Sequence, residues 1–367
     1  MKELNYSEIY VPNVKGRYIT YDHINDFING LPNTFKLDEV GQSVRGESIK
    51  SITFGNGPKR ILMWSQMHGN ESTTTKAVID LLNYLKQNVT EVSDISNACT
   101  LKIIPILNPD GARDYTRVNA NKIDLNRDAQ DLSQPESRVL KNVFEDFKPD
   151  FCFNLHDQRT IFNVGDTNKP ATVSFLAPAF DMERNNSPSR KLSMQLIAAM
   201  NSRLQEVIPG HVGRYDDGFN ANCVGDAFQM SKTPTILFEA GHYFEDYDRD
   251  KTRAYIFKAL LKGISILLNN TISNYKVEQY LSIPENGKQF VDVVIKNDNY
   301  ISNHLTKNGV VAIQYKEVLN NDKVEFKPEV HVFEKEPKEL FAHKTLNCND
   351  DNDLKWLKEN DLLNLLS

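Results

Sequence analysis

Three of the eight histidines in this sequence are followed, three residues on, by glutamate: His68/Glu71, His242/Glu245 and His331/Glu334. On a helical turn or in a tight loop, that spacing lets an imidazole and a carboxylate grip one divalent cation. On a strand it cannot, because positions i and i+3 point to opposite faces. Val330–Glu334 alternates like a strand, which sets the third pair aside. His242/Glu245 closely follows the apolar run Thr235–Glu239 and stays a competitor. His68/Glu71 follows the apolar run Arg60–Ser65, turns through Gly69-Asn70 and leads into a helical pattern. This places both groups at the carboxyl end of a buried strand, where α/β sheets bind their ligands, so this pair is preferred.

A hydrolytic zinc site needs a third protein ligand and keeps one position open. His156 ends the apolar run Phe151–Leu155 and would reach the same sheet edge. Two imidazoles and a carboxylate suit Zn²⁺. Two further features favour this set. The segment from Asn108-Pro109-Asp110-Gly111 to Asn126-Arg127 carries Arg113, Arg117 and Arg127, and guanidinium forks bind carboxylates bidentately. Of the three, Arg113 is read as a solvated loop residue. Glu239 ends the apolar strand Thr235–Phe238 just before Ala240-Gly241. Partial desolvation there would raise its pKa toward that of a general base.

Elements that would hold these residues alternate along the first 280 positions or so. Strands are expected at Phe35–Val40, Ser48–Phe54, Arg60–Ser65, Thr100–Ile106, Phe151–Leu155, Val173–Ala177 and Thr235–Glu239. Helices are expected at Thr73–Gln87, after Ser133-Gln134-Pro135-Glu136, at Pro188–Val207 and at Asp248–Leu268. The pattern reads as an α/β fold with a mixed or largely parallel sheet covered on both faces. From about residue 280 the texture changes to short alternating runs, Gln289–Lys296, Val310–Val318, Lys323–Phe326 and Val330–Glu334, separated by Asn-rich turns. These predict a small antiparallel β module, closed by a helical tail at Asp353–Leu366. The expected division is 1–278 for the site-bearing domain and 279–367 for the β-rich one.

Composition narrows the function further. Net charge is −6, with no basic stripe of the kind that binds nucleic acid. The stretch Met1–Tyr18 has no apolar core resembling a secretory leader, and no apolar run is long enough to span a membrane. A cytoplasmic location is therefore expected. Cys99, Cys152, Cys223 and Cys348 are far apart and read as reduced thiols rather than a disulfide framework.

Together, Met67-His68-Gly69-Asn70-Glu71, Asn108-Pro109-Asp110-Gly111, Asp124-Leu125-Asn126-Arg127, His156 and Glu239 resemble the zinc metallocarboxypeptidase family of the carboxypeptidase A type. The resemblance covers roughly residues 15–270. It implies an α/β/α sandwich around a mixed, mostly parallel eight-stranded sheet. It implies one zinc ion held by His68, Glu71 and His156, the ligand set known for carboxypeptidase A. It further implies Glu239 as general base, Arg117 polarising the scissile carbonyl, and Asn126 with Arg127 gripping the free C-terminal carboxylate of a peptide or peptide-like substrate.

The sequence departs from the family where His156 is followed by Asp157-Gln158 instead of Ser-Tyr, and where only Tyr215 offers itself as a substrate-covering tyrosine. Asp216, Asp217 and Asp226 precede Glu239. An aspartate facing the pocket, Asp226 in particular, would favour a cationic or amine-bearing terminal residue. Two other readings share parts of the pattern: an aspartoacylase-like zinc deacylase of N-acyl amino acids, and a non-catalytic binding protein on the same fold.

Overall fold

Successive side chains of a strand go to opposite faces, and here each face meets its own helices. The computed structural model describes residues 5–87, 89–296, 310–332 and 339–365. The strands in chain order are β1 (Phe35–Gln42), β2 (Ser48–Phe54), β3 (Lys59–Trp64), β4 (Cys99–Ile104), β5 (Phe151–Asp157), β6 (Asn163–Val164), β7 (Val173–Leu176), β8 (Val212–Arg214) and β9 (Thr235–Ala240), then β10 (Asn286–Gly287), β11 (Phe290–Lys296), β12 (Val310–Asn320), β13 (Lys323–Val330) and β14 (Phe341–Asn347). The helices are α1 (Tyr21–Asn29), α2 (Thr73–Leu85), α3 (Thr90–Ala98), α4 (Pro109–Asp114), α5 (Pro135–Phe147), α6 (Pro188–Gln205), α7 (Val224–Met230), α8 (Asp250–Leu268), α9 (Val277–Leu281) and α10 (Asp351–Glu359).

The main sheet has eight strands in the order β1-β2-β4-β3-β5-β9-β7-β8. Its centre, β4-β3-β5-β9, is parallel, and antiparallel pairings join β2 to β4 and β9 to β7. Ile61 and Met63 of β3 pack into the core formed with α2, α6 and α8, whereas Leu62 and Trp64 pack against α5 and α7. Phe153 and Leu155 of β5 follow the first face and Cys152 the second. The result is the expected α/β/α sandwich. The eighth strand, β8, escapes a pattern search because it is only three residues long. The chain reverses direction around β3: β4 lies on one side of it and β5 on the other. Such a switch point opens a crevice at the carboxyl ends of the strands.

Beyond residue 285 the C-terminal sheet has the order β13-β12-β11-β14. It is mixed, not antiparallel, because β14 runs parallel to β11. The expected strand Val330–Glu334 is not one unit either. Val330 ends β13, His331 and Val332 are outside any strand, and Glu334 lies outside the described residues. The fourth strand is instead β14, whose polar, half-exposed residues hide its alternation. The helical tail begins at Asp351, where Asp350 caps the first turn through Asn352 N and Asp353 N, and α10 ends at Glu359; Leu366 lies outside the described residues. Among the described residues no helix is long and apolar enough to cross a membrane, and all four cysteines are free.

Candidate metal centre

The chain leaves β3 through Gln66, a non-glycine residue at φ 44°. Its Nε2 donates to Ile19 O (2.9 Å) and Gly69 O (2.8 Å), which holds the following loop in place. Gly69 is required there: a Cβ would lie 1.9 Å from the backbone carbon of Gly111. Asn108 explains the other side of this close approach. Its Oδ1 accepts from Gly111 N (2.9 Å) to cap α4, and its Nδ2 donates to Met67 O (3.2 Å). Asp110 accepts from Ser43 Oγ and Arg45 N. The Asn108–Gly111 motif is therefore scaffolding for the His68 loop. Arg113 pairs with Glu47 and Asp22 at the surface, in keeping with its solvated reading.

This loop brings His68 and Glu71 to His156, at the end of β5. The Nδ1 atoms of the two histidines lie 3.1 Å apart. Glu71 Oε1 is 2.8 Å from His68 Nδ1, and Oε2 is 2.9 Å from His156 Nδ1. Both rings are 2% exposed and Glu71 is 8% exposed. Two ring nitrogens and a carboxylate converging at these separations fit one tetrahedral cation once the nitrogens are deprotonated, the ligand–ligand edge being about 3.3 Å for bonds near 2.0–2.1 Å. His68 Nε2 donates to Asp124 Oδ1 (3.0 Å). A carboxylate on the far nitrogen is the usual way a ligating histidine is oriented. Burial pushes the Glu71 carboxyl up, but His68 and His156 outweigh it and hold it well below the usual carboxylate range.

Glu239 lies across from His156 in the parallel β5–β9 ladder. Its Oε2 is buried without a hydrogen-bond partner. Burial, with Glu71 and Asp157 nearby, pushes its carboxyl well above the usual range. Arg117 Nη1 reaches Glu71 Oε1 (3.3 Å) and its Nε reaches Asp124 Oδ2 (3.0 Å), so its fork faces the histidine–glutamate cluster. Asn126 Oδ1 accepts from Val224 N (3.1 Å), and Arg127 Nη1 from the adjacent position donates to Cys223 Sγ (3.0 Å). All of these line one cleft of about 960 Å³, together with Tyr215 and Asp226. The competing pair does not form at this centre: neither His242 nor Glu245 lines the cleft.

The profile of the zinc carboxypeptidase family matches residues 20–136, the span carrying His68, Glu71, Arg117, Asn126 and Arg127. In this span the chain is similar to the zinc carboxypeptidase family. Carboxypeptidase D of Rattus norvegicus is 30% identical over 233 residues, which is 54% of this chain but 16% of that protein. Carboxypeptidase SOL1 of Arabidopsis thaliana is 27% identical over 169 residues, 40% of this chain and 34% of its own length. The chain thus spans well under two thirds of these relatives. Among solved structures, a metallo-carboxypeptidase from Burkholderia cenocepacia superposes with a TM-score of 0.55 at 17% identity, covering 69% of this chain and 70% of that one. Carboxypeptidase A from Helicoverpa armigera gives 0.54 at 20% identity, covering 70% and 74%. At these identities the likeness establishes the fold.

The Asp157-Gln158 pair that follows His156 has a structural role. Asp157 accepts from Thr73 N (2.9 Å) and Thr74 N (3.3 Å), capping the amino end of α2. It is also close to Arg17 (3.9 Å) and Arg249 (3.8 Å). Gln158 Nε2 donates to Ala171 O and to Ser174 Oγ, tying β5 to the β7 region. Sequence reasoning missed one wall of the cleft. Gln314, Tyr315, Lys316 and Glu317 of β12, with Glu329 and Val330 of β13, line the cleft as well. Glu317 accepts from Arg17 Nη2 (3.0 Å) and from the Tyr115 hydroxyl. No sequence motif signals this, because the pairing joins residues about 300 positions apart.

Proposed function

We propose that this protein is a zinc-dependent carboxypeptidase that hydrolyses the C-terminal amide bond of a peptide or peptide-like substrate. The observation that carries the reading is the convergence of His68 Nδ1, His156 Nδ1 and the Glu71 carboxylate at 2.8–3.1 Å, beside a buried Glu239 oxygen without a partner. His68, Glu71 and His156 would hold the ion. Bound zinc supplies Lewis acidity toward the scissile carbonyl and acidifies water at neutral pH.

The remaining work falls to the protein. Glu239, kept basic by its buried carboxylate-rich surroundings, takes the proton of the attacking water and returns it to the departing amine. Arg117 offers its guanidinium to the oxygen on which negative charge develops, a donor contribution of about 3 kcal/mol in comparable sites. Arg127 and Asn126 bind the free terminal carboxylate, so that only the last amide bond reaches Glu239. Tyr215 supports the same arrangement: burial, followed by the charges of Glu239 and Glu71, keeps its hydroxyl protonated and able to donate. Asp226, on the cleft wall and 6% exposed, would favour a basic terminal residue. Residues 1–278 would form the catalytic unit and 279–367 an accessory one, although the β10–β6 pairing and the bond from Asn286 Nδ2 to Gln158 Oε1 (3.3 Å) weave the junction into the main body.

The test compares matched peptides ending in a free carboxylate or in an amide. Release of the terminal residue from the acid alone, abolished by a zinc chelator and restored by ZnCl₂, is the expected result. Cleavage of N-acetyl amino acids in preference to dipeptides would overturn the reading.

A further inference from the structure

His242, which the cleft does not use, has a different neighbourhood. It follows β9 by two residues, at the edge of the main sheet, and is 2% exposed. Neither of its ring nitrogens has a hydrogen-bond partner. Against it lies His343 of β14, with ring centroids 4.0 Å apart and planes at 50°. Both His343 nitrogens also lack partners. Asp292 of β11, 1% exposed, completes the group. The parallel register pairs Val291 with Ala342 and Val293 with Lys344, which sets Asp292 abreast of His343. Ligand-capable atoms of the three residues all lie within 4.8 Å of one another, the criterion that the His68–Glu71–His156 set also meets.

Four unpaired ring nitrogens side by side in a buried pocket are not ordinary packing, since buried polar atoms almost always find partners. The walls cannot supply them. The rings of Phe244, Phe290 and Tyr247 surround the pair, with Phe290 4.5 Å and Phe244 5.5 Å from His343 and Tyr247 4.5 Å from His242. Asp292 is oriented in the manner of a ligating carboxylate. One oxygen accepts from the Tyr247 hydroxyl (2.8 Å) and the other from Tyr315 N (2.8 Å), which leaves lone pairs on both. The nearest cation, Arg249, is engaged elsewhere, donating to Ala240 O and Gln158 O (both 2.7 Å). A cavity of about 10 Å³, lined by His242, Asp292 and Arg249 but not by His343, adjoins the group.

We propose a second metal site, in which His242, Asp292 and His343 bind one divalent transition metal ion of the zinc class. Two imidazoles and a carboxylate are the donor set that selects such an ion over magnesium or calcium. One ligand comes from the segment just after β9 of the main sheet and two from the C-terminal sheet. The ion would clip the two sheets together and so hold β12, with Glu317, in the wall of the cleft. Its role is structural, and it does not depend on the activity proposed above.

The test is zinc content of the full chain, measured by mass spectrometry after loading with ZnCl₂ and desalting. Wild type should hold two equivalents. His343→Phe, which keeps an aromatic ring in the stack, should hold one, as should a His68→Asn/Glu71→Gln variant. In that latter background ZnCl₂ should still raise the melting temperature, and adding His343→Phe should remove the rise. Should His343→Phe fail to fold, His242→Gln is read in the same way. Zinc content unchanged by these replacements, or no zinc left in His68→Asn/Glu71→Gln, would overturn the second site. Zinc lost only with His343→Phe would instead overturn the catalytic assignment.

Discussion

His156 and Glu239 are register partners across the parallel β5–β9 ladder. The two roles proposed for them, metal ligand and base, would therefore be set by one pair of adjacent strands. Replacing Glu239 with Gln keeps the shape and removes only the proton acceptor. Turnover should fall about 10³-fold, within the range of a lost general base, while zinc content stays at its wild-type value. Activity within tenfold of wild type would move the base role to another group.

Arg117 and Arg127, both on the cleft wall, should separate kinetically. If Arg127 grips the terminal carboxylate as proposed, Arg127→Ala removes a contact made equally to ground and transition states, so KM for acid-ended peptides should rise with kcat little changed. Its discrimination against amide-ended peptides should shrink as well. Arg117, within 3.3 Å of Glu71 Oε1, is proposed to meet charge that appears only during reaction. Arg117→Ala should lower kcat by about 10²–10³-fold. An Arg117→Ala variant impaired in KM alone would contradict that placement.

The parts of this site legible in the sequence are those written in local spacing. His68 and Glu71 share one loop, and His156 and Glu239 each end a continuous apolar run. Strand-end position narrowed the choice of histidines but left His242, two residues beyond β9, as a competitor. The Asn108–Gly111 motif was visible, but its purpose was not: that Gly69 must be glycine follows only from the 1.9 Å approach of Gly111. The C-terminal sheet was misread for a physical reason. β14 is half-exposed with three successive polar residues, His343, Lys344 and Thr345, so its period is blurred, and its parallel pairing to β11 leaves no hairpin signal. Long-range pairs such as Arg17–Glu317 leave no local trace at all.

Asp226 carries a pH prediction. Burial pushes its carboxyl up to about 6. The carboxylate therefore predominates above that pH and the neutral acid below it. If it recognises a basic terminal residue, kcat/KM for a Lys-ended peptide relative to a Leu-ended one should climb as pH rises through 6. Asp226→Asn should flatten that profile and depress the ratio about tenfold, comparable to losing one partly buried ion pair. A ratio independent of pH in the wild type would assign Asp226 to its structural bond with Asn220 N (3.2 Å) alone.

The N-terminal segment is fastened to the fold by a buried ion pair far from the cleft. Arg253 of α8 donates through Nη2 to Asp80 Oδ1 and through Nε to Oδ2 (both 2.5 Å), and both side chains are fully buried. The remaining valences are used: Asp80 also accepts from Val11 N (2.9 Å), and Arg253 Nη1 donates to Val14 O (2.5 Å). Asp80→Ala would strand the guanidinium in the core and should cost about 3–5 kcal/mol, read as a drop in the urea midpoint at unchanged slope. The loss measures an abandoned charge more than the worth of the pair. Replacing both partners with apolar residues, Asp80→Leu with Arg253→Met, should therefore recover much of it. A loss below about 1 kcal/mol for Asp80→Ala would mean that water reaches Arg253 and that the pair is not buried as described.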